Sequence, residues 1–235
     1  MVDLGTPVPN WRPPSTAFPS LTGRYAALTA LDPSHAEALF EVNRVDPRIW
    51  DYLFDGPYET LDAYRGWVEA ASKEADPYFY AIRNLENDQW GGVASYMRIN
   101  PDAGSIEVGS INFSTALQRT RAATEAMVLM MTWAFEAGYR RYEWKCNALN
   151  LPSRRAAQRL GFSYEGTHRQ AIIIKDHNRD TAWFSILDRE WPPLRAAFET
   201  WLDPANFDTE GRQKRALSSL TAPLLSAVDP VISRS

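Results

Sequence analysis

The sequence predicts an α+β domain with a mixed, mostly antiparallel central sheet flanked by helices. Three observations carry this. Three strand-like runs follow one another between short turn-rich stretches. A long amphipathic helix then leads into a strand with two different faces. Two further strands close the domain around a polar turn.

The elements follow in order. Residues 23–31 (GRYAALTAL) read as a strand. Pro33 and Ser34 then open a short helix that carries Ala36, Leu39, Phe40 and Val42. Leu61, Tyr64, Trp67, Val68 and Ala71 recur at helical spacing and predict a second helix over 59–74. Strands over 78–85, 90–99 and 105–113 are separated by NLENDQ and NPDAG, a pattern that predicts an antiparallel meander. A strong helix over 121–137 turns Met127, Met130, Met131, Ala134 and Phe135 to the core and stops at Gly138. In YRRYEWKC, Tyr142, Trp144 and Cys146 alternate with Arg141, Glu143 and Lys145, as in a strand between an apolar and a polar layer. Asn150 and Gly161 bound a helix over 151–160. Strands over 163–175 and 180–188 flank the turn KDHNRD, and a last helix begins near Glu190 with Pro192 and Pro193 in its first turn.

Residues 1–20, rich in proline, predict an extended arm before a domain over 21–204. Residues 205–235 predict a tail that is partly helical or disordered. The chain has 235 residues, enough for one sizeable core. Its nine tryptophans, ten tyrosines and ten phenylalanines point to core packing, with an aromatic-lined cleft as a further use. A net charge of -4 gives no reason to expect a nucleic-acid surface. There is no run of about 18 apolar residues, so no membrane span is expected. The first twenty residues lack the basic and apolar regions of a secretory signal, and the cytoplasm is the expected location. A lone cysteine, Cys146, excludes an intramolecular disulfide and a cysteine-rich metal site.

Two segments sharpen the reading: INFSTALQRTRAATEAMVLMMTWAFEAGYRR (111–141) and NLPSRRAAQRLGF (150–162). With EGTHRQ and the late Glu190-Trp191, they resemble the acetyl-CoA-binding half of the GNAT superfamily. The likeness is to its branch of ribosomal-protein alanine N-acetyltransferases (RimJ/RimL-like), and it covers about residues 22–192. The resemblance implies the GNAT fold and an N-acetyltransferase that moves an acetyl group directly from acetyl-CoA, or another acyl-CoA, to a primary amine. No metal is implied. Its phosphate-loop pattern falls on Gln118, Arg119, Thr120, Arg121, Ala122 and Ala123, just before the strong helix. Physical reasoning agrees, since a helix N-terminus offers unpaired N–H groups and positive potential to a pyrophosphate. Arg121 departs from the family, which has glycine there. Its guanidinium either points away from the phosphates or pairs with them.

Asn150 and Ser153 match the family's Asn-x-x-Ser, and Asn150 would cap its helix beside the pantetheine arm. Among Arg154, Arg155 and Arg159, Arg155 is the one taken toward the cofactor; the alternative is a solvated arginine face. Backbone amides around Ile111, Asn112 and Phe113 would hold the pantetheine and the developing oxyanion. Glu107 matches an acidic position of the family and is the candidate general base. Its alternative is a carboxylate on the exposed face of a strand. Many relatives protonate the leaving thiolate with a tyrosine one turn beyond Ser153; here that position is Ala157, which leaves the Ser153 hydroxyl as the acid. Cys146 reads as a small buried residue, not a nucleophile.

On the acceptor side, Trp50 and Tyr52 with Phe54 come from the family's variable roof, and each reads equally as core. His168, Arg169 and Asp180 match polar positions in the relatives, with Asp180 either binding a cationic amine or fixing its turn. The acceptor is a protein N-terminus or a small amine. A competing reading is a non-catalytic acyl-CoA sensor of the same fold, favoured by Arg121 and Ala157. The apolar tail and the edge strands leave room for a homodimer.

Overall fold

Alternation along the strands decides which helices lie on which face. In β3 (Tyr78–Asn84), Tyr80 and Ile82 enter one core and Phe79 and Ala81 another, as the period of two requires. The computed structural model describes residues 4–232, so the first three residues of the predicted arm and the last three of the tail lie outside it. Among the described residues, eight strands form one sheet in the order β1-β2-β3-β4-β5-β6-β8-β7. These are β1 (Leu21–Thr22), β2 (Ala26–Ala30), β3, β4 (Gln89–Asn100), β5 (Ser105–Phe113), β6 (Arg141–Asn147), β7 (Ser163–Ile174) and β8 (His177–Leu187). Neighbours pair antiparallel except β5 and β6, which run parallel. The sheet is mixed and mostly antiparallel, as expected.

One face is covered by α3 (Arg121–Glu136), α4 (Leu151–Arg159) and α5 (Trp191–Leu202). Met127, Met130 and Met131 of α3 are buried there with Tyr96, Tyr142 and Phe184. Each such side chain contributes roughly 1.5–3 kcal/mol by leaving water. The other face carries α1 (Ala36–Asn43) and α2 (Leu61–Ala71), which close a smaller core around Leu39, Trp50, Tyr64 and Val68. Glu125 of α3 is buried and accepts three backbone N–H groups at the start of β2, from Arg24, Tyr25 and Ala26 at 2.9, 2.5 and 2.7 Å. That contact fixes the edge of the sheet to the helix.

The elements depart from expectation in particulars. β1 was not read from sequence because two residues give no periodicity. The second helix begins only at Leu61, where the Thr60 side chain accepts the Ala63 N–H. The predicted turn KDHNRD is mostly strand: only Lys175 and Asp176 form the turn, both at positive φ (48° and 61°), so β8 begins at His177.

The two ends of the chain pack on the domain. Phe18 of the arm meets the rings of Tyr78, Tyr96 and Trp133 at 4.8–5.2 Å. Beyond residue 204 the chain forms α6 (Leu217–Thr221), whose Leu217 is fully buried, and continues to Asp229, which meets Arg154 of α4. Of the apolar tail residues, Leu217, Leu220 and Leu224 pack on their own chain, while Val228 and Val231 are exposed.

Candidate active site

The site begins where two parallel strands part. β5 and β6 pair only over Ser105–Val108 and Arg141–Trp144. Beyond Val108, β5 pairs with β4 alone; beyond Trp144, β6 pairs with β8 alone. A bulge lies at the parting point. Ser95 opposes Gly109 and Val93 opposes Asn112, so Ser110 and Ile111 face Ala94 alone. Ser110 sits at φ 47°, a conformation that costs a non-glycine residue on the order of 1 kcal/mol. The bulge brings Gly109, Ser110, Ile111 and Phe113 to the wall of a cleft of ≈ 1290 Å³. Asn112 is turned away, 2% exposed, and neither atom of its side-chain amide has a partner.

The N-terminus of α3 closes one end of this cleft. The chain turns through Ser114 and Leu117, and Arg119 adopts φ 63° before Thr120 caps the helix by accepting the Ala123 N–H. The first amides of the helix, at Arg121 and Ala122, have no intrahelical acceptor. Gln118, Arg119, Thr120, Arg121 and Ala123 line the cleft, while the Ala122 methyl is fully buried. The Arg121 guanidinium is turned to one side. It pairs with Glu86 and lies 4.7 Å from the ring centroids of both Tyr25 and Phe207.

The opposite wall comes from α4 and β6. Asn150 caps α4 by accepting the Ser153 N–H at 3.1 Å. Asn150, Ser153 and Arg155 all line the cleft. The Trp144 indole N–H donates to Ser153 Oγ at 3.0 Å, so the hydroxyl's own proton is not committed to Trp144. Ala157 is buried behind the helix. The Cys146 thiol is pushed up to about 11 by burial, against a smaller opposing effect of Ser153, so it is not a thiolate near neutrality.

At the other end of the cleft, Glu107 is 2% exposed and meets two cations. Arg98 Nη1 donates to Oε1 at 2.7 Å and Lys145 Nζ lies 2.8 Å from Oε2. Burial pushes the Glu107 carboxyl above the ordinary carboxylate range, with Lys145 and Arg98 pulling the other way. Tyr52 and Phe54 line this end, and the Tyr52 hydroxyl donates to the Leu149 carbonyl at 3.4 Å.

Four expected acceptor residues do not reach the cleft. Trp50 is 4% exposed and packed edge-on against Tyr58, Tyr64 and Trp67. His168 stacks on Trp183 with centroids 4.4 Å apart. Arg169 is exposed on β7. Asp180 accepts the Gln170 backbone N–H at 2.8 Å and the Asn178 amide at 3.0 Å, holding the β7–β8 hairpin. The β7–β8 hairpin, whose second strand starts three residues earlier than expected, holds His168, Arg169 and Asp180 outside the cleft. Sequence reasoning also missed cleft residues. Gly211, Arg212 and Gln213 reach the phosphate-loop end from the tail, and Met97 and Arg179 reach the Glu107 end. An inward parity along β8 was the available signal for Arg179, hidden by reading that stretch as a turn.

A mixed sheet whose two parallel strands part beside a helix N-terminus thus leaves one long cleft between them. The chain belongs to the GNAT acetyltransferase family and is an acetyltransferase. An acetyltransferase (GNAT) domain profile matches residues 27–163. A GCN5-related N-acetyltransferase from Brucella melitensis is 42% identical over 92% of this chain and 100% of its own, with a TM-score of 0.89. A GNAT-family protein from Chromobacterium violaceum ATCC 12472 is 41% identical over 81% of this chain and 98% of its own, with a TM-score of 0.76. RimL, a ribosomal L7/L12 α-N-protein acetyltransferase, shares the fold at 21% identity and a TM-score of 0.62, over 72% of this chain and 93% of its own. No curated protein matches the sequence. GNAT enzymes use acetyl-CoA as cosubstrate. Among the described residues, no helix is long and apolar enough to cross a membrane.

Proposed function

We propose that this acetyltransferase moves the acetyl group of acetyl-CoA directly to a primary amine, on a protein N-terminus or a small molecule. The observation that carries this is one continuous cleft running from the α3 N-terminus, past Ser153, to Glu107. Its volume exceeds the few hundred to about 1,000 Å³ of most ligand sites, as a donor and an acceptor together require.

The residues present suit acetyl-CoA. The amides at the start of α3 and the Gln118–Thr120 turn would hold the pyrophosphate, with Arg119 and Arg155 adding charge. Arg121 pairs with Glu86, so its presence in the turn does not by itself favour a non-catalytic sensor. The unpaired edge of β5 at Gly109–Ile111 would bind the pantetheine and stabilise charge developing on the carbonyl oxygen. When bound, the thioester supplies the activated acetyl group.

Trp144 donates to Ser153 Oγ and orients the hydroxyl, which serves as the acid for the leaving sulfur. Glu107 serves as base through a water, since both of its oxygens already face cations. The test is calorimetric titration with acetyl-CoA and CoA, followed by an amine screen read by thiol release. Micromolar binding with amine-dependent thiol release supports the reading. Absence of binding overturns it.

A further inference from the structure

The polar face of the sheet at the Glu107 end carries charges that are matched one to another. Glu107 meets Arg98 and Lys145, and Lys145 also meets Glu143 at 2.7 Å. Arg141 joins Glu143 at 2.6 Å and Glu165 at 2.5 Å. On the facing segment, Asp46 takes Arg48 at 2.8 Å. Three cations of the sheet thus balance three carboxylates.

Arg179 stands outside this balance. It lies on β8 with the parity of Trp183, whose ring covers Lys145 at 3.8 Å, and so shares that face. It lines the cleft and is only 7% exposed. Among the described residues no carboxylate lies within ion-pair distance of it, and its Nε has no hydrogen-bond partner. Its guanidinium lies 5.4 Å from the Phe54 ring centroid. The β6–β8 register sets Lys145 opposite Trp183 and Asn147 opposite Thr181, so Arg179 follows on the same face just past the end of β6, between Lys145 with its partner Glu107 and the start of α4 that carries Ser153. An unpaired buried cation is unfavourable for the fold, and a guanidinium fork fits a carboxylate.

We propose that Arg179 forms a carboxylate subsite at the junction of the donor and acceptor ends of the cleft. One reacting molecule then carries a carboxylate besides its reactive group. Either the acceptor does, as an amino acid does, or the acyl group does, as a dicarboxylic monoacyl-CoA does. The inference rests on the acyl-transfer reading of this cleft, but binding at Arg179 is measured apart from turnover.

The experiment uses the full chain and four sets of probes. Acetyl-CoA is compared with succinyl-CoA, and a panel of N-acetyl amino acids with their amides, the latter two in the presence of CoA. Affinity is read by calorimetry, and contact by the Nε–Hε resonance of Arg179, assigned from its loss in Arg179→Met. The expected result is a preference of about 10- to 100-fold for the carboxylate member of one pair, with a shift of that resonance. Preference for succinyl-CoA assigns the carboxylate to the acyl group; preference for the N-acetyl amino acids assigns it to the acceptor. R179M abolishes the preference with little change in Tm, because it removes a buried charge that has no ion pair, and R179K keeps part of it. The proposal is overturned if neither pair shows a preference. It is equally overturned if R179M keeps the preference, or lowers Tm while leaving probe affinities unchanged. If no amine is acylated yet carboxylates still shift the resonance, the acyl-transfer reading fails and the subsite stands.

Discussion

Asp229→Ala tests how the tail holds the catalytic wall. Arg154 Nε and Nη2 each donate to Asp229 at 2.6 Å, and the two side chains are 3% and 0% exposed. Removing one member of such a pair costs about 3–5 kcal/mol, because the other charge stays buried without its counterion. Arg154 keeps the Ala148 carbonyl at 2.8 Å and the Tyr164 ring at 5.8 Å. The loss therefore falls at the lower end, about 3 kcal/mol. For a chain of this size that corresponds to a drop in Tm of about 6–12 °C. Urea unfolding gives the free energy and a thermal melt the midpoint. The double variant R154M/D229L, which leaves no charge behind, recovers most of the loss. High salt changes the wild-type value little, since the pair is shielded from solvent. Well below the melting transition, D229A also raises the KM for acetyl-CoA, because Arg154 adjoins Ser153 on α4. A D229A protein within about 0.5 kcal/mol of wild type refutes the reasoning, as does a double variant as unstable as the single one.

Three further outcomes are expected. Ser153→Ala lowers kcat about 100-fold while the KM for acetyl-CoA changes far less, measured by thiol release; an unchanged kcat leaves Ser153 a helix residue only. For Glu107, the carboxyl must be ionised to act as base and burial raises its pKa. Consequently kcat/KM climbs with pH through a limb lying above the ordinary carboxylate range, and Glu107→Gln abolishes that limb; a pH–rate profile of the same shape in E107Q rules the base out. Arg121→Gly restores the residue usual in the family yet changes CoA affinity by less than about fivefold, since the guanidinium serves Glu86, Tyr25 and Phe207; calorimetry showing a larger loss would put it on the phosphates.

Local pattern was enough for most elements. Tyr142, Trp144 and Cys146 alternate with Arg141, Glu143 and Lys145, and the structure sends the first set to the core and the second to a charged face. The α3 and α4 boundaries followed from Gly138, Asn150 and Gly161, because capping is chemistry within one or two turns. The phosphate turn and the Asn150–Ser153 pair were placed by the family likeness; both lie at helix starts, whose geometry is set by residues three or four apart.

The acceptor end could not be read that way. Trp50 and His168 looked like cleft residues by likeness alone, and their positions depend on an aromatic cluster and a hairpin assembled from distant parts of the chain. The sequence by itself determined the alternation, the caps and the turn before α3, all of them products of short-range sterics and hydrogen bonding. Tertiary structure alone decided where β5 and β6 part, that the tail returns Asp229 to Arg154, and that Arg179 is buried in the cleft wall outside any ion pair. Those depend on which elements become neighbours, and contacts between residues 36 to 75 positions apart leave no periodic trace in the chain.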